Sequence, residues 1–228
     1  MSTSNKPKVI IIEGLIASGK SCLLEVLLEF LSQRGLRITV VREPVDKWKT
    51  SGLLERFYKD PKRWSYHFQT KAFHDRVVEN IIMFEKFGNT SDVFILERSP
   101  FSDRLFMDVL YDDGFVDDLE LKDYKEWWSL WNRVMPYHPS VFIYLKPDLE
   151  VCMTRLKERN RNGEGGVSIE YQRKLQEKHD ACFGKEFVEI SPGYYIPAIT
   201  IKTNANYRDF LDEKIKITNI FENIINKI

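Results

Sequence analysis

The chain reads VIIIEGLIASGKSCLLEVLLEFL from Val9 to Leu31. Its first four residues are β-branched without polar alternation, which predicts a strand buried on both faces. Leucines then recur at the spacing of one helix face, which predicts a helix over residues 20–33. Between them lies the pattern G-x-x-x-x-G-K-S, in which the glycines let backbone N–H groups turn towards phosphate oxygens. This unit predicts a phosphate-binding loop (P-loop) between a buried strand and a helix.

The same alternation of strands and helices continues along the chain. Further short apolar runs lie at residues 38–41, 93–96, 141–145 and 198–201. Helical patterns cover residues 62–87, 101–111, 121–134, a segment opening at Asp148, and residues 168–188 and 206–227. We therefore predict an α/β fold: one three-layer, doubly wound domain over residues 1–228, whose parallel five-stranded sheet is flanked by helices.

Composition excludes several classes of function. Lys+Arg and Asp+Glu balance at 34 each, whereas proteins that bind nucleic acid polymers usually carry a basic surplus. The first apolar run, residues 9–12, is too short for a signal sequence or a membrane span. The three cysteines, at positions 22, 152 and 182, are far apart and odd in number, which favours reduced thiols. We expect a cytosolic protein that binds a small anion and neither a nucleic acid polymer nor a membrane.

The P-loop assigns the first chemical roles. Lys20 reaches the β- and γ-phosphates, and the Ser21 hydroxyl is a ligand for Mg²⁺. The motif therefore predicts a site for ATP or GTP. It does not by itself separate a kinase from a GTPase or an ATPase.

Two further candidates follow predicted strands, at the edge of the sheet where α/β folds bind their ligands. Glu43 follows the second strand, and Glu97-Arg98 ends the third. Phosphoryl transfer requires a positioned acceptor, a metal and cations near the transferred group. Glu43 is suited to take the proton of an acceptor hydroxyl, Glu97 to hold Mg²⁺, and Arg98 to clamp the acceptor oxygen.

An ordered set of motifs makes the pattern more specific. The chain carries EGLIASGKS at residues 13–21, EPVDKW at 43–48, YKDP at 58–61, FQT at 68–70 and ERSPFSDR at 97–104. This series resembles the deoxynucleoside kinase family, and the similarity extends from about Val9 to the last helix. The resemblance implies transfer of the γ-phosphoryl group of ATP to the 5′-hydroxyl of a deoxynucleoside, with Mg²⁺, in nucleotide salvage. It also implies a homodimer, for which the apolar stretches 73–87 and 101–111 are candidate faces.

The resemblance assigns residues to each substrate. It implies catalytic roles for Glu43, Arg98 and Lys20, and metal binding by Ser21 and Glu97. It places ATP against Gly14, Ala17, Ser18, Gly19, Lys20, Ser21, Cys22, the lid arginines Arg155, Arg159 and Arg161, and Asn206 and Tyr207. The Arg-rich lid loop covers about residues 159–167. The deoxynucleoside is expected at Ile16, Glu43, Trp48, Tyr58, Phe68, Gln69, Ala72, Arg76, Arg98, Asp103, Met107, Glu164 and Tyr171.

The base preference is argued from three of these residues. The Gln69 amide has a donor edge and an acceptor edge, so it pairs with any base and decides little alone. An ionised Asp103 only accepts hydrogen bonds, so it favours an exocyclic amino group and repels the O4 carbonyl of thymine. Arg76 keeps Asp103 charged. We expect deoxycytidine or deoxyadenosine to be preferred, deoxyguanosine to be possible and thymidine to be poor.

Two departures from the family pattern accompany this expectation. Leu15 stands where the P-loop usually has Asn, and Met107 replaces an aromatic residue that commonly sandwiches the base with Phe68. Methionine is the more adaptable side chain, so Met107 favours broader specificity.

Other functions remain open at this point. A thymidine-preferring or broad-specificity member of the same family fits the motifs. A nucleoside monophosphate kinase shares the fold, but Glu43 would repel the acceptor's phosphate. A nucleotide-binding scaffold or switch is the non-enzymatic alternative, although the chain has no Asn-Lys-x-Asp guanine motif.

Overall fold

The computed structural model describes residues 6–159 and 166–202, together with residues 204 and 222. In this part of the chain a six-stranded sheet has the order β2-β3-β1-β4-β6-β5. The strands are β1 (Lys8–Gly14), β2 (Ile38–Val41), β3 (Val93–Glu97), β4 (Val141–Leu145), β5 (Phe187–Ser191) and β6 (Tyr194–Ile201). All neighbours pair in parallel except β5, which runs antiparallel to β6 at the edge.

Eight helices are described around this sheet. They are α1 (Lys20–Ser32), α2 (Val45–Thr50), α3 (Leu53–Lys59), α4 (Pro61–Phe87), α5 (Pro100–Asp112), α6 (Asp118–Val134), α7 (Leu149–Arg159) and α8 (Ile169–Phe183). None of the helices in the described ranges has the length and apolar character needed to cross a membrane.

Successive strand residues point into two separate cores. Ile10 and Ile12 of β1 pack with the leucines of α1, whereas Val9 and Ile11 pack into a larger core that includes Phe73 of α4. Because both faces of the sheet are covered, the strands are apolar without alternation. The predicted three-layer α/β architecture is confirmed.

The predicted number of strands was wrong. The five predicted strands are the five parallel ones, but β5 adds a sixth. The predicted helix over residues 168–188 ends at Phe183, where the Gly184 N–H closes the last turn on the Asp180 carbonyl. As an edge strand β5 buries little, with Val188 inside and Phe187 and Glu189 exposed. The predicted helix over residues 206–227 lies almost entirely outside the described residues.

Candidate active site

The P-loop joins β1 to α1 under tight steric limits. Gly14 has a φ of 149°, and a Cβ atom there would lie 2.5 Å from the Leu145 carbonyl oxygen of β4. A glycine is therefore required at this turn. Two residues beyond Leu15, Ala17 adopts a left-handed φ of 61°, which is unusual for a residue with a Cβ.

Lys20 lies buried beneath this loop. Its Nζ donates to the Leu15 carbonyl at 2.6 Å and to the Gly14 carbonyl at 3.3 Å. Burial and the nearby Arg98 guanidinium lower the pKa of Lys20 to about 7. The loop thus holds its lysine in place by backbone carbonyls.

Ser21 and Glu97 meet at the front of the loop. The Ser21 Oγ donates to the Glu97 Oε1 at 2.6 Å, which brings two oxygen ligands from α1 and β3 to one point. Oxygen is the donor that Mg²⁺ prefers, and Mg²⁺ usually takes its other ligands from water and substrate phosphates. The described residues hold no cluster of three or more His, Cys, Asp or Glu side chains able to bind a metal. The Ser21–Glu97 pair fits an ion held partly by ATP.

A cleft of about 470 Å³ opens beside the P-loop. Predicted phosphate-side and predicted nucleoside-side residues line it together. They are Ala17, Gly19, Lys20, Ser21, Cys22, Glu97, Arg155 and Arg159 on the first side, and Ile16, Glu43, Trp48, Tyr58, Phe68, Gln69, Arg76, Arg98 and Tyr171 on the second. One cleft therefore has room for both the donor phosphates and an acceptor.

A mostly buried carboxylate–guanidinium network crosses this cleft. Arg76 of α4 forms ion pairs with Glu43 and with Asp103 of α5, and the Arg98 Nε lies 3.3 Å from the Glu43 Oε1. Burial by itself would raise the pKa of Glu43, but Arg98, Arg76 and Lys20 outweigh it and lower that pKa to about 2. Glu43 is therefore ionised throughout the physiological range.

Arg98 itself is held in an uncommon conformation. Its φ is 64° at the end of β3, and its N–H donates to the Ile12 carbonyl of β1 at 3.0 Å. Non-glycine residues in this region cost free energy and concentrate at functional sites.

Donors from α4 and α6 surround the Asp103 carboxylate. Gln69 Nε2 and the Tyr124 hydroxyl both donate to Asp103 Oδ1 at 2.6 Å, while Arg76 pairs with Oδ2. Since the Gln69 amino group is turned to Asp103, its carbonyl oxygen is left for a ligand. This end of the cleft consequently offers the Gln69 carbonyl oxygen as an acceptor.

Aromatic rings form another wall. Trp48 meets Phe68 edge-on with centroids 5.6 Å apart, and Phe57 stacks on Phe68 at 4.6 Å. The Trp48 indole N–H donates to Asp75 Oδ2 at 2.9 Å, which fixes the orientation of the ring. The wall suits a flat, apolar-faced ligand such as a nucleobase.

Some predicted residues lie behind the cleft or outside the described chain. Gly14 and Ser18 belong to the P-loop but do not line the cleft, and Ala72, Asp103 and Met107 are almost completely buried behind its wall. Arg161, Glu164, Asn206 and Tyr207 lie outside the described residues.

Sequence reasoning missed several residues of the cleft. Phe106 lines the cleft, whereas the neighbouring Met107 points into the core, and the Arg98 guanidinium lies 4.6 Å above the Phe106 ring. Phe106 lies three residues after Asp103, on the same face of α5, and this spacing could have identified it as a site residue. Tyr124 carried no such signal, because α6 meets the site only through tertiary packing.

A P-loop that faces a buried carboxylate paired with arginines defines a nucleotide-dependent phosphotransferase. The chain belongs to the deoxynucleoside kinase family, whose family model matches residues 10–228. It is 35% identical over 218 residues to a "probable deoxycytidine kinase" of fowlpox virus, covering 95% of this chain and 86% of that protein. It is 30% identical over 245 aligned residues to the deoxycytidine kinase of Mus musculus, covering 94% and 92%. Deoxycytidine kinase 2 of Gallus gallus is 30% identical over 240 residues, covering 94% and 88%.

These findings confirm the family predicted from the motifs. The protein is a deoxynucleoside kinase of nucleotide salvage, and its substrates are a nucleoside and ATP as the phosphoryl donor.

Proposed function

We propose that this kinase phosphorylates the 5′-hydroxyl of deoxynucleosides, with deoxycytidine or deoxyadenosine preferred, deoxyguanosine possible and thymidine poor. The arrangement of Gln69, Asp103 and Tyr124 carries this proposal. Asp103 is buried behind the cleft wall and accepts from the Gln69 amino group, which leaves the Gln69 carbonyl oxygen for the N–H group of an exocyclic amine. Thymine would set its O4 carbonyl against the Gln69 carbonyl oxygen. The named relatives are deoxycytidine kinases, which supports the same order.

At the acceptor end of the cleft, Glu43 is our candidate for the proton acceptor. With its pKa near 2, Glu43 is a weak base, but it is always in the accepting form. In a loose phosphoryl-transfer transition state the hydroxyl proton leaves late, when the oxygen has already begun to bond to phosphorus. Glu43 then needs mainly to orient the hydroxyl and receive the proton at Oε1 or Oε2. Arg98, 3.3 Å from Glu43 Oε1, stays beside the acceptor oxygen and balances the charge.

The donor end assigns ATP to the P-loop. Lys20 and the backbone N–H groups of residues 17–22 bind the phosphates, and Cys22 lies beside them on the cleft wall. Ser21 and Glu97 would hold Mg²⁺, which would neutralise charge on the β- and γ-phosphates.

The arginines at the end of α7 are assigned to the transferred group. Arg155 and Arg159 line the cleft, and Arg155 Nη1 donates to the Ser18 carbonyl of the P-loop at 3.1 Å. Guanidinium groups offer paired donors to phosphate oxygens. Arg161 remains assigned to this role by resemblance only.

Tyr58 is assigned to the deoxyribose 3′-hydroxyl together with Glu164. A Cβ atom on Gly166 would lie only 2.7 Å from the Tyr58 Cβ, so the C-terminal end of the lid approaches Tyr58 closely. This approach supports the pairing of Tyr58 with the lid. Met107 is buried in the core, so Phe106 replaces it as the proposed contact for the base. Asn206 and Tyr207 remain predicted contacts for adenine.

A substrate panel tests the proposal directly. We expect kcat/KM with ATP and Mg²⁺ to be highest for deoxycytidine or deoxyadenosine and at least about tenfold lower for thymidine, because one acceptor opposed to a carbonyl costs 1–2 kcal/mol or more. The measurement is kcat/KM for all four deoxynucleosides. If thymidine has the highest kcat/KM, the proposed role of Asp103 is wrong although the family assignment stands. If the protein phosphorylates a nucleoside monophosphate and none of the four deoxynucleosides, it is a nucleoside monophosphate kinase.

We also propose a homodimer, but the structure changes the candidate face. Apolar residues of 101–111 are mostly buried in the core, so that stretch offers little to a partner. On α6, Trp127, Leu130 and Val134 are 52%, 43% and 54% exposed, and their spacing places them on one face. Ile82, within the predicted stretch 73–87, is 49% exposed on α4. An exposed apolar face of this kind is typical of a subunit interface.

Leu130→Glu tests this face. A charge buried in an apolar interface is costly, so we expect the variant to elute as a monomer in size-exclusion chromatography with light scattering while wild type elutes as a dimer. Lys125→Glu, an exposed change on another face of α6, is the matched control and leaves the mass unchanged. A wild-type monomer, or a dimer that tolerates Leu130→Glu, contradicts the assignment.

The remaining assignments concern the whole chain. We propose that residues 1–228 form one domain, as the single central sheet over the described ranges supports. The cysteines at 22, 152 and 182 are all unpaired, which supports a reducing compartment such as the cytosol.

A further inference from the structure

Gln172 of α8 contacts the P-loop across a long sequence separation. Its side chain is completely buried, and both ends of its amide bind the backbone of one residue, Ile16. Gln172 Nε2 donates to the Ile16 carbonyl at 2.8 Å, and the Ile16 N–H donates to Gln172 Oε1 at 3.3 Å. A buried glutamine satisfied in this way orients the backbone that it binds.

The two hydrogen bonds fix two successive peptide units. In a trans peptide the C=O and N–H bonds point in opposite directions. The Ile16 carbonyl points to Gln172, so the Ala17 N–H in the same peptide points away from α8. In the preceding peptide the Ile16 N–H points to Gln172, while the Leu15 carbonyl points to Lys20 Nζ at 2.6 Å. Gln172 and Lys20 thus hold the Leu15–Ile16 peptide from its two sides.

This support falls where the P-loop is strained. Ala17 follows Ile16 directly and has a φ of 61°, a conformation that residues with a Cβ rarely adopt. Rotation of the Ile16–Ala17 peptide would relieve the strain and turn the Ala17 N–H in another direction. The Gln172–Ile16 hydrogen bonds oppose that rotation.

We infer that Gln172 is a positioning residue for ATP: it holds the Ile16–Ala17 peptide so that the Ala17 N–H faces the triphosphate. The inference rests on the proposed donor site at the P-loop, and it gives α8 a part in that site. Gln172 itself does not line the cleft. Its action on ATP runs through the backbone of Ile16 and Ala17.

Gln172→Met is the variant that tests this role. Methionine has a similar length and fills the space but makes neither hydrogen bond. We expect the Kd for ATP with Mg²⁺, measured by calorimetry without a nucleoside, to rise about five- to tenfold, as the loss of one or two neutral hydrogen bonds predicts. The Kd for deoxycytidine should change less than about twofold, because the peptide that rotates donates to the phosphates rather than to the base.

Gln176→Met is the matched control, since it makes the same change one turn later on α8, where the side chain is half-buried. It should leave both affinities unchanged. Thermal unfolding is recorded for every variant, and binding is measured well below the midpoint. If Gln172→Met proves unstable, Gln172→Leu provides a second apolar replacement for the same measurement.

Three outcomes are decisive. Selective weakening of ATP binding by a folded Gln172 variant supports the inference. Unchanged ATP affinity with a lowered melting temperature would show that Gln172 is purely structural and would overturn the inference. An equal loss of ATP and deoxycytidine affinity would also overturn the inference. Because ATP binding is measured without an acceptor, an error in the proposed base preference leaves this test intact. Failure of wild type to bind ATP would instead overturn the donor site itself.

Discussion

Glu43→Gln is expected to lower kcat by a factor on the order of 10² or more, while ATP binds with nearly unchanged affinity. The substitution keeps the size of the side chain but removes the carboxylate that pairs with both Arg76 and Arg98 on the acceptor side of the cleft. A neutral amide cannot receive the hydroxyl proton, and its amino group would donate towards the acceptor oxygen. The measurement is kcat with saturating deoxycytidine and ATP, with ATP affinity determined separately by calorimetry.

Glu55→Gln, on the exposed side of α3, is the control and should behave as wild type. Stability is followed in parallel, because the lowered pKa of Glu43 also contributes to folding. That contribution is present above the ordinary pKa of 4.5 and is lost as the pH falls towards 2. The stability difference between wild type and Glu43→Gln should therefore shrink over that interval. Activity of the variant within a few-fold of wild type would remove Glu43 from the mechanism.

Asp103→Asn is expected to reduce the deoxycytidine-to-thymidine ratio of kcat/KM by about fivefold or more, since a hydrogen bond to a charged acceptor contributes roughly 1 kcal/mol more than one to a neutral acceptor. The side chain stays nearly isosteric, but its charge is lost and one edge becomes a donor. Without the charge the Gln69 amide is free to turn over and donate to the O4 carbonyl of thymine, so kcat/KM should fall for deoxycytidine and rise for thymidine. The measurement is kcat/KM for the two nucleosides at fixed, saturating ATP.

Two companion variants separate charge from position. Asp108→Asn makes the same change further along α5, where the carboxylate faces Arg104 at 3.6 Å, and should leave the ratio unchanged. Tyr124→Phe removes one donor to Asp103 Oδ1 but keeps the carboxylate, so a smaller fall in the ratio is expected. A wild-type ratio in Asp103→Asn would show that Asp103 only anchors Arg76.

The parts of the fold that were predictable are those with strong local patterns. β1 and its P-loop combine a β-branched run with fixed glycines, and β3 and β4 are continuous apolar runs because both faces are buried. β5 was missed because a five-residue edge strand buries only one face and followed a convincing helical pattern. Its identity depends on pairing with β6, which local sequence does not show.

Some residues of the site were likewise predictable from local sequence and others were not. Glu43 and Arg98 were predictable because each follows a strand at the ligand-binding edge of the sheet. Tyr124 and Gln172 were not, because each is an ordinary residue on an amphipathic helix whose contact with the site is set by tertiary packing. For Gln172 the single local hint was its position beside Tyr171.

The double pairing of Arg76 has a consequence for how this enzyme evolves. One guanidinium binds both Glu43, the proposed proton acceptor, and Asp103, the proposed determinant of base preference. A mutation of Asp103 that changes the preferred nucleobase also disturbs Arg76, the partner of Glu43. Base preference and kcat are therefore coupled through one side chain. During evolution towards a new preferred nucleoside, the first variants should therefore have a lower kcat. Restoring kcat should require a second mutation at or near Arg76.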